Sequence, residues 1–274
     1  LKVIALMSGA ANTGKSATGI TLGTMMAQRG QRVCVIDLDR QKTSTFYLKS
    51  EVDPDEPGQF YIGDVFLRRK RVKQDNGVKR EVYLADAIRE TEIENLFIVP
   101  CHNNISGDAL DIARVSGAGH LAQDIQALDG FFDIVILDCP GELNILATAA
   151  VAAATDIIFC LAPTIKHADV EDVWNHIDMM QNGGATKATV TAVIPCIINR
   201  VTEGLFYQEV LQGILDSDRF KGLVTAQIRK QHFEPQAYGR QSPLPISFPK
   251  AEVTDDYRKL LIDLDGRGIT TQAA

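Results

Sequence analysis

The sequence predicts an α/β protein: a doubly wound, mostly parallel sheet of about seven or eight strands with helices on both faces. Three observations predict it. Short apolar runs rich in β-formers alternate with helical patterns along the whole chain. The first run leads directly into a glycine loop and a helix. Two of the runs end in aspartates, and ligands in such sheets sit at the carboxyl ends of the strands.

The elements follow in order. "KVIALMS" (2–8) reads as a buried parallel strand, and "SATGITLGTMMAQRG" (16–30) as a helix stopped by Arg29 and Gly30. "QRVCVIDLD" (31–39), "NLFIVPC" (95–101), "FFDIVILDCPG" (131–141) and "TDIIFCLAP" (155–163) read as four further strands. "TVTAVIPCIINR" (189–200) is a sixth strand, broken or bulged at Pro195, and "KGLVTAQI" (221–228) a shorter seventh. Helical spacing covers roughly 82–90, 107–128, 143–154, 166–182, 203–217 and 251–265. The 274 residues and 45% hydrophobic content suit one large domain over 1–274. Residues 50–81 are the irregular part. They hold two prolines, the turn Asp75-Asn76-Gly77 and the basic residues Arg68, Arg69, Lys70, Arg71, Lys73, Lys79 and Arg80. This stretch reads as a solvated charged hairpin about Asn76-Gly77, or as a contact for DNA or another acidic partner.

The glycine loop carries the chemistry. "GAANTGKS" (9–16) fits G-x-x-x-x-G-K-[ST], with Gly9, Gly14, Lys15 and Ser16 in the fixed places. Glycines let the backbone curl so that successive N–H groups point at phosphate oxygens. Ala10, Ala11, Asn12, Thr13 and Ala17 complete the cradle. Lys15 supplies a cation for the β- and γ-phosphates, and the Ser16 hydroxyl is placed to ligate Mg²⁺. The helix that follows adds a dipole favouring an anion. ATP or ADP with Mg²⁺ is therefore the expected ligand.

Hydrolysis needs further carboxylates. Asp138 closes the apolar run "DIVILD" and is expected to act on the Mg²⁺ shell, whereas Asp133 at the opposite end is structural. Asp37 and Asp39 are two apart in an extended segment and so share a face. One is expected to face Mg²⁺ and the other the attacking water. Gly141 is a candidate hinge near the γ-phosphate.

Composition excludes other classes. Cys34, Cys101, Cys139, Cys160 and Cys196 form no C-x-x-C, and an odd count in strands argues for reduced thiols. His102, His120, His167, His176 and His232 have no metal-ligand spacing. Trp174 lies beside Val170, Val173 and Ile177 on a helical face and is expected to pack. No apolar run reaches the ~18 residues of a membrane span. A net charge of −7 excludes a bulk nucleic-acid binder but allows a local basic patch.

Together these residues resemble the ParA/MinD group of P-loop ATPases, and partition ATPases of the ParA type most closely, over nearly the whole chain. "AQRGQRVCVIDLDRQKTSTFYL" resembles that family's D-x-D-P-Q segment, with Arg40 in place of the proline. "FFDIVILDCPGELNILATAAVAAATDIIFCLAPT" is similar to its Walker B strand and the elements that follow. By resemblance, Asn199 and Arg200 in "IINR" lie at the base, and Pro243 within Ser242–Pro245 flanks the adenine. The family's loop reads K-G-G-x-G-K-T, and its first lysine reaches the partner's phosphates in a nucleotide-bound dimer. Ala10 stands at that position, with Ala11 and Asn12 replacing the glycines. Either catalysis is slow or another cation substitutes, with Lys42 one candidate.

The resemblance implies an ATP-dependent homodimer that binds DNA without sequence preference, with hydrolysis stimulated by a centromere-binding, ParB-like protein. It implies a cytoplasmic location, on the nucleoid when ATP is bound. DNA contacts are expected among Arg219, Lys221, Arg229, Lys230, Arg240, Lys250, Arg258 and Lys259. No membrane contact is expected, because "DGRGITTQAA" is not an amphipathic helix. A dethiobiotin-synthetase-like ligase and a nucleotide-gated regulator or conjugation accessory with little ATPase activity remain open alternatives.

Overall fold

The computed structural model describes residues 1–72, 78–115, 118–163, 169–198 and 205–270. Nine strands are present among them: β1 (Lys2–Met7), β2 (Val33–Asp37), β3 (Lys70–Val72), β4 (Lys79–Glu81), β5 (Arg89–Glu90), β6 (Leu96–Val99), β7 (Ile134–Asp138), β8 (Asp156–Leu161) and β9 (Thr189–Pro195). Seven form one sheet in the order β5-β6-β2-β7-β1-β8-β9. All neighbours run parallel except the edge strand β5, which is antiparallel to β6. The expected fold class is therefore observed.

Alternation along the strands explains the two-sided core. Val3, Ala5 and Met7 face one hydrophobic cluster with Ile36, Val135, Leu137 and Phe159. Ile4 and Leu6 face the other with Val33, Val35, Ile136 and Ile158. Helices Ala118–Gln126 and Ile145–Ala153 cover the first face. Lys15–Gln28 and Glu252–Gly266 cover the second. Asn144 caps Ile145–Ala153 by accepting from Leu146 N at 2.9 Å and Ala147 N at 3.1 Å. Trp174 stacks on Phe159 with ring centroids 5.4 Å apart, the packing role expected of it.

Several boundaries differ from expectation. Residues 221–228 are not a strand. Two isolated bridges link Val224 and Arg229 to Val193 and Ile198. Val193 N donates to the Leu223 carbonyl and Thr225 N to the Val193 carbonyl at 2.9 Å each, while Arg267 donates to the carbonyls of Gly222 at 2.9 Å and Val224 at 3.0 Å. The seventh strand is instead β5, which replaces the end of the helix expected over 82–90; only Leu84–Ala87 is helical. The helix expected over 107–128 is two, Ile105–Arg114 and Ala118–Gln126. The irregularity in β9 lies opposite Ile157/Ile158, not at Pro195, which ends the strand. The helices Thr43–Tyr47, Ile62–Phe66, Phe233–Gly239 and Leu244–Ser247 are too short to leave a periodic signal.

The basic stretch does form a hairpin, β3 against β4, and its turn lies outside the described residues. It is not simply solvated. Arg68 forms a two-pronged pair with Asp124 at 2.6 and 2.7 Å. Arg69 binds Asp108, which also accepts from the Tyr61 hydroxyl at 2.6 Å. Arg71 reaches Asp64 at 3.4 Å. These pairs tie the hairpin to the helices Ile105–Arg114, Ala118–Gln126 and Ile62–Phe66.

Glu234, in Phe233–Gly239, is half-buried, and burial pushes its carboxyl up to about 7 against a hydrogen bond with Tyr257. The folded state therefore holds the proton more tightly than the unfolded chain. Stability from this group is complete below about 4.5 and falls as pH rises to about 7. Glu234→Gln is expected to leave stability unchanged at pH 4 and to raise it by about 1–2 kcal/mol at pH 8, allowing for partial solvent screening. Urea unfolding at the two pH values checks this.

Candidate active site

The carboxyl ends of β1, β2 and β7 converge. β7 lies between β1 and β2, and Asp37 and Asp138 are directly opposed in the register. The chain leaving β1 forms the loop Ser8–Gly14, and the helix begins at Lys15. Two positive backbone angles curl the loop. Gly14 has φ 89°, and Asn12 has φ 58°. Asparagine tolerates this left-handed region better than most residues, which explains how it stands where the resembled pattern has glycine. Lys15 is buried, and its ammonium donates to Ser8 Oγ at 2.8 Å and the Ala10 carbonyl at 3.2 Å. The cation is thus held on the loop's axis.

The residues present fit a divalent cation. Asp138 is fully buried; its Oδ2 accepts from Ser44 at 2.7 Å, while Oδ1 has no hydrogen-bond partner among the described residues. Burial pushes its carboxyl up to about 6, and the Ser44 and Ser16 hydroxyls and the Lys15 charge oppose the shift. A buried, orphaned carboxylate oxygen beside a serine hydroxyl is an oxygen donor set of the kind Mg²⁺ takes, usually keeping waters and phosphate as its other ligands.

The two aspartates of "DLD" have different surroundings. Both Asp37 oxygens are engaged: Oδ2 accepts from Thr45 N at 2.8 Å and Thr45 Oγ1 at 2.7 Å, and Oδ1 from Asp39 N at 3.1 Å. Burial and the neighbouring Asp138 push its carboxyl upward. Asp37 therefore orders the turn that follows it. Asp39 lies on that turn, half-buried, and lines an open cleft of about 480 Å³. Gly9, Ala10 and Ala11 form another wall of the cleft, and Ile105, Ser106 and Ala109 the far side. Pro140, Gly141, Glu142 and Asn144 complete it. Gly141 packs on the loop itself: a Cβ there would lie 2.7 Å from Ala11 N and 3.0 Å from the Ala10 carbonyl carbon.

The base side is partly described. A Cβ on Gly14 would touch Cys196 and Ile197, so the end of β9 flanks the loop. Ile198 pairs with Ile228 and Lys230 at 2.9 Å each. Asn199 and Arg200 lie outside the described residues. Pro243 caps the short helix Leu244–Ser247. It lines a separate cleft of about 160 Å³ with Tyr47, Leu48 and Ile93, which shares no residue with the first. Lys42 does not line the P-loop cleft either. Its charge adds to burial in favouring the neutral imidazole of His102. Sequence reasoning missed Arg40 and Glu142 as cleft residues. The replacement of the expected proline by arginine was the available signal.

Other residues take structural places. Asp133 accepts from Arg32 N at 2.7 Å at the far edge of the sheet. All five cysteines are buried and free. Among the basic residues singled out near the C-terminus, Arg219 binds Glu171 and Asp178, Arg229 binds Asp256 and Glu252, and Arg258 binds Asp255. Lys221, Lys250 and Lys259 are exposed. No described helix is long and apolar enough to cross a membrane.

Comparison with known proteins agrees with this geometry. The sequence model of a family described as AAA domain matches residues 1–196. The chain is 21% identical over 270 residues to the sporulation initiation inhibitor protein Soj of Bacillus subtilis, covering 97% of this chain and 99% of Soj. It is 27% identical over 162 residues to the chromosome partitioning protein ParA of Caulobacter vibrioides, covering 58% of this chain and 55% of that protein. A solved ATP complex of a Cyanothece McdA variant superposes with a TM-score of 0.81 at 19% identity, covering 100% of this chain and 98% of McdA. The loop, the opposed aspartates, the sheet order and these likenesses have one common explanation: the chain belongs to the ParA/MinD family of P-loop ATPases.

Proposed function

We propose that the protein is a ParA-like ATPase of DNA partition, a nucleotide-gated homodimer that binds DNA when ATP is bound. The observation that carries the ATPase reading is the buried, unpartnered Oδ1 of Asp138 behind a P-loop whose lysine is already in place. Ser16 and Asp138 hold Mg²⁺, which neutralises phosphate charge when bound. Loop amides and Lys15 hold the phosphates. Asp39, on the cleft, orients water, and Asp37 positions Asp39 through its backbone amide. Asn199 and Arg200 serve the base.

Two exposed apolar side chains next in sequence to cleft residues support the dimer. Leu110, beside Ala109, is 69% exposed, and Leu143, beside Glu142, is 40% exposed. A second copy closing over the nucleotide would cover both and exclude water, which strengthens every charge interaction inside. DNA phosphates are contacted by Lys221, Lys250 and Lys259, with the hairpin residues Lys70, Lys79 and Arg80 as a second set. A ParB-like partner stimulates hydrolysis and release.

Light scattering tests the switch. ATP with Mg²⁺ is expected to convert monomer to dimer, ADP is not, and Asp39→Asn is expected to slow hydrolysis by ~10²-fold or more and so prolong the dimer. A monomer in every nucleotide state would overturn the dimer and favour a ligase or a regulator.

A further inference from the structure

The loop and the aspartate segment depart from the pattern they resemble at Ala10 and Arg40, and the fold sets both on the same cleft. We propose that Arg40 is the residue that binds the terminal phosphate of the nucleotide and so distinguishes a triphosphate from a diphosphate. The inference deepens the nucleotide-site reading and rests on it.

The charge balance of the cleft motivates it. Asp39 and Glu142 line the cleft as acids, and Arg40 is the only basic residue on its described walls. A γ-phosphate entering there adds charge of the same sign as those carboxylates. The Lys15 ammonium serves the phosphates from inside the loop, where it rests on Ser8 and the Ala10 carbonyl. Ala10 and Ala11 bring no charge to the cleft. From the cleft side, Arg40 is the basic residue placed to meet the outermost phosphate.

Arg40 is also free to do so. Arg29, Arg68, Arg69, Arg219, Arg229 and Arg267 each bind a carboxylate within the fold. Arg40 is exposed and makes no ion pair or hydrogen bond with a described residue. Its backbone, in contrast, is fixed. Asp39 N donates to Asp37 Oδ1 at 3.1 Å, Gln41 N to Asp39 Oδ1 at 3.0 Å and Lys42 N to the Asp39 carbonyl at 2.8 Å. Lys42 completes the turn at φ 53°. A guanidinium on a fixed turn loses only side-chain freedom on binding, and its planar fork matches two oxygens of one phosphate.

The test measures affinities of wild type, Arg40→Ala and Arg40→Lys for fluorescent ATP and ADP, with Mg²⁺, at two salt concentrations. Arg40→Ala is expected to weaken ATP binding about tenfold and ADP binding less than twofold, with Arg40→Lys between. Thermal melting is expected to be unchanged, because the side chain is exposed. Equal losses for the two nucleotides, or no loss, would overturn the role of Arg40 and leave the site intact. Failure of the wild type to bind either nucleotide would overturn the site reading, and the Arg40 assignment with it.

Discussion

Lys15→Ala is expected to lower ATP affinity by ~100-fold or more while the protein stays folded. A hydrogen bond to a charged group contributes about 1.5–3 kcal/mol, and the ammonium faces two phosphates, so a loss near 3 kcal/mol is the minimum expected. The fold survives because the groups that lose the ammonium retain partners. Ser8 Oγ also donates to the Ala10 carbonyl at 2.6 Å. Removing a buried cation also removes a desolvation cost. Titration with a fluorescent ATP analogue reads the affinity, and a thermal melt reads the fold. Affinity within threefold of wild type would show that phosphate binds elsewhere.

Gly141→Ala has the second large effect, and the cause is steric. The added methyl carbon would sit 2.7 Å from Ala11 N and 2.8 Å from Ala11 Cα, both backbone atoms that cannot rotate away. Either the P-loop or the 140–142 segment must move. Overpacking of this kind costs about 1–3 kcal/mol in stability. A misplacement approaching 1 Å in a site that works by geometry costs ~10²-fold in rate. Gly107→Ala is the control: no atom lies within 4 Å of a Cβ there, its φ is not positive, and it sits in the helix Ile105–Arg114 that forms the cleft's far wall. That variant is expected to keep wild-type turnover and to gain slightly in stability from helix propensity. Turnover and urea unfolding of both variants check the pair. Full activity in Gly141→Ala would mean that the close approach has no part in the site.

The loop and the aspartates were legible in the sequence because their chemistry fixes residue type. A backbone that curls around phosphate requires glycine or its nearest substitute, and Asn12 at φ 58° is such a substitute. Asp138 was legible because a carboxylate at the end of an otherwise apolar strand has no packing reason to be there. The far wall of the cleft was not legible. Ile105, Ser106, Gly141 and Glu142 meet Ala10 and Arg40 only through the strand order, and no local pattern encodes that order. The segment 50–81 looked solvated because the acids that pair its arginines, Asp108 and Asp124, lie far along the chain. Residues 221–228 looked like a strand because their pattern is apolar and extended; they bond to β9 only through isolated bridges, and Arg267 takes the carbonyls of Gly222 and Val224.

The central claim is that ATP at this cleft switches DNA binding on. Fluorescence anisotropy with a labelled duplex of arbitrary sequence tests it most directly, with ATP-Mg²⁺, with ADP-Mg²⁺ and without nucleotide, at low and moderate salt. The account predicts binding with ATP-Mg²⁺ alone, weakening steeply as salt rises. DNA binding that is equal in all three nucleotide states, or absent from all of them, would contradict it.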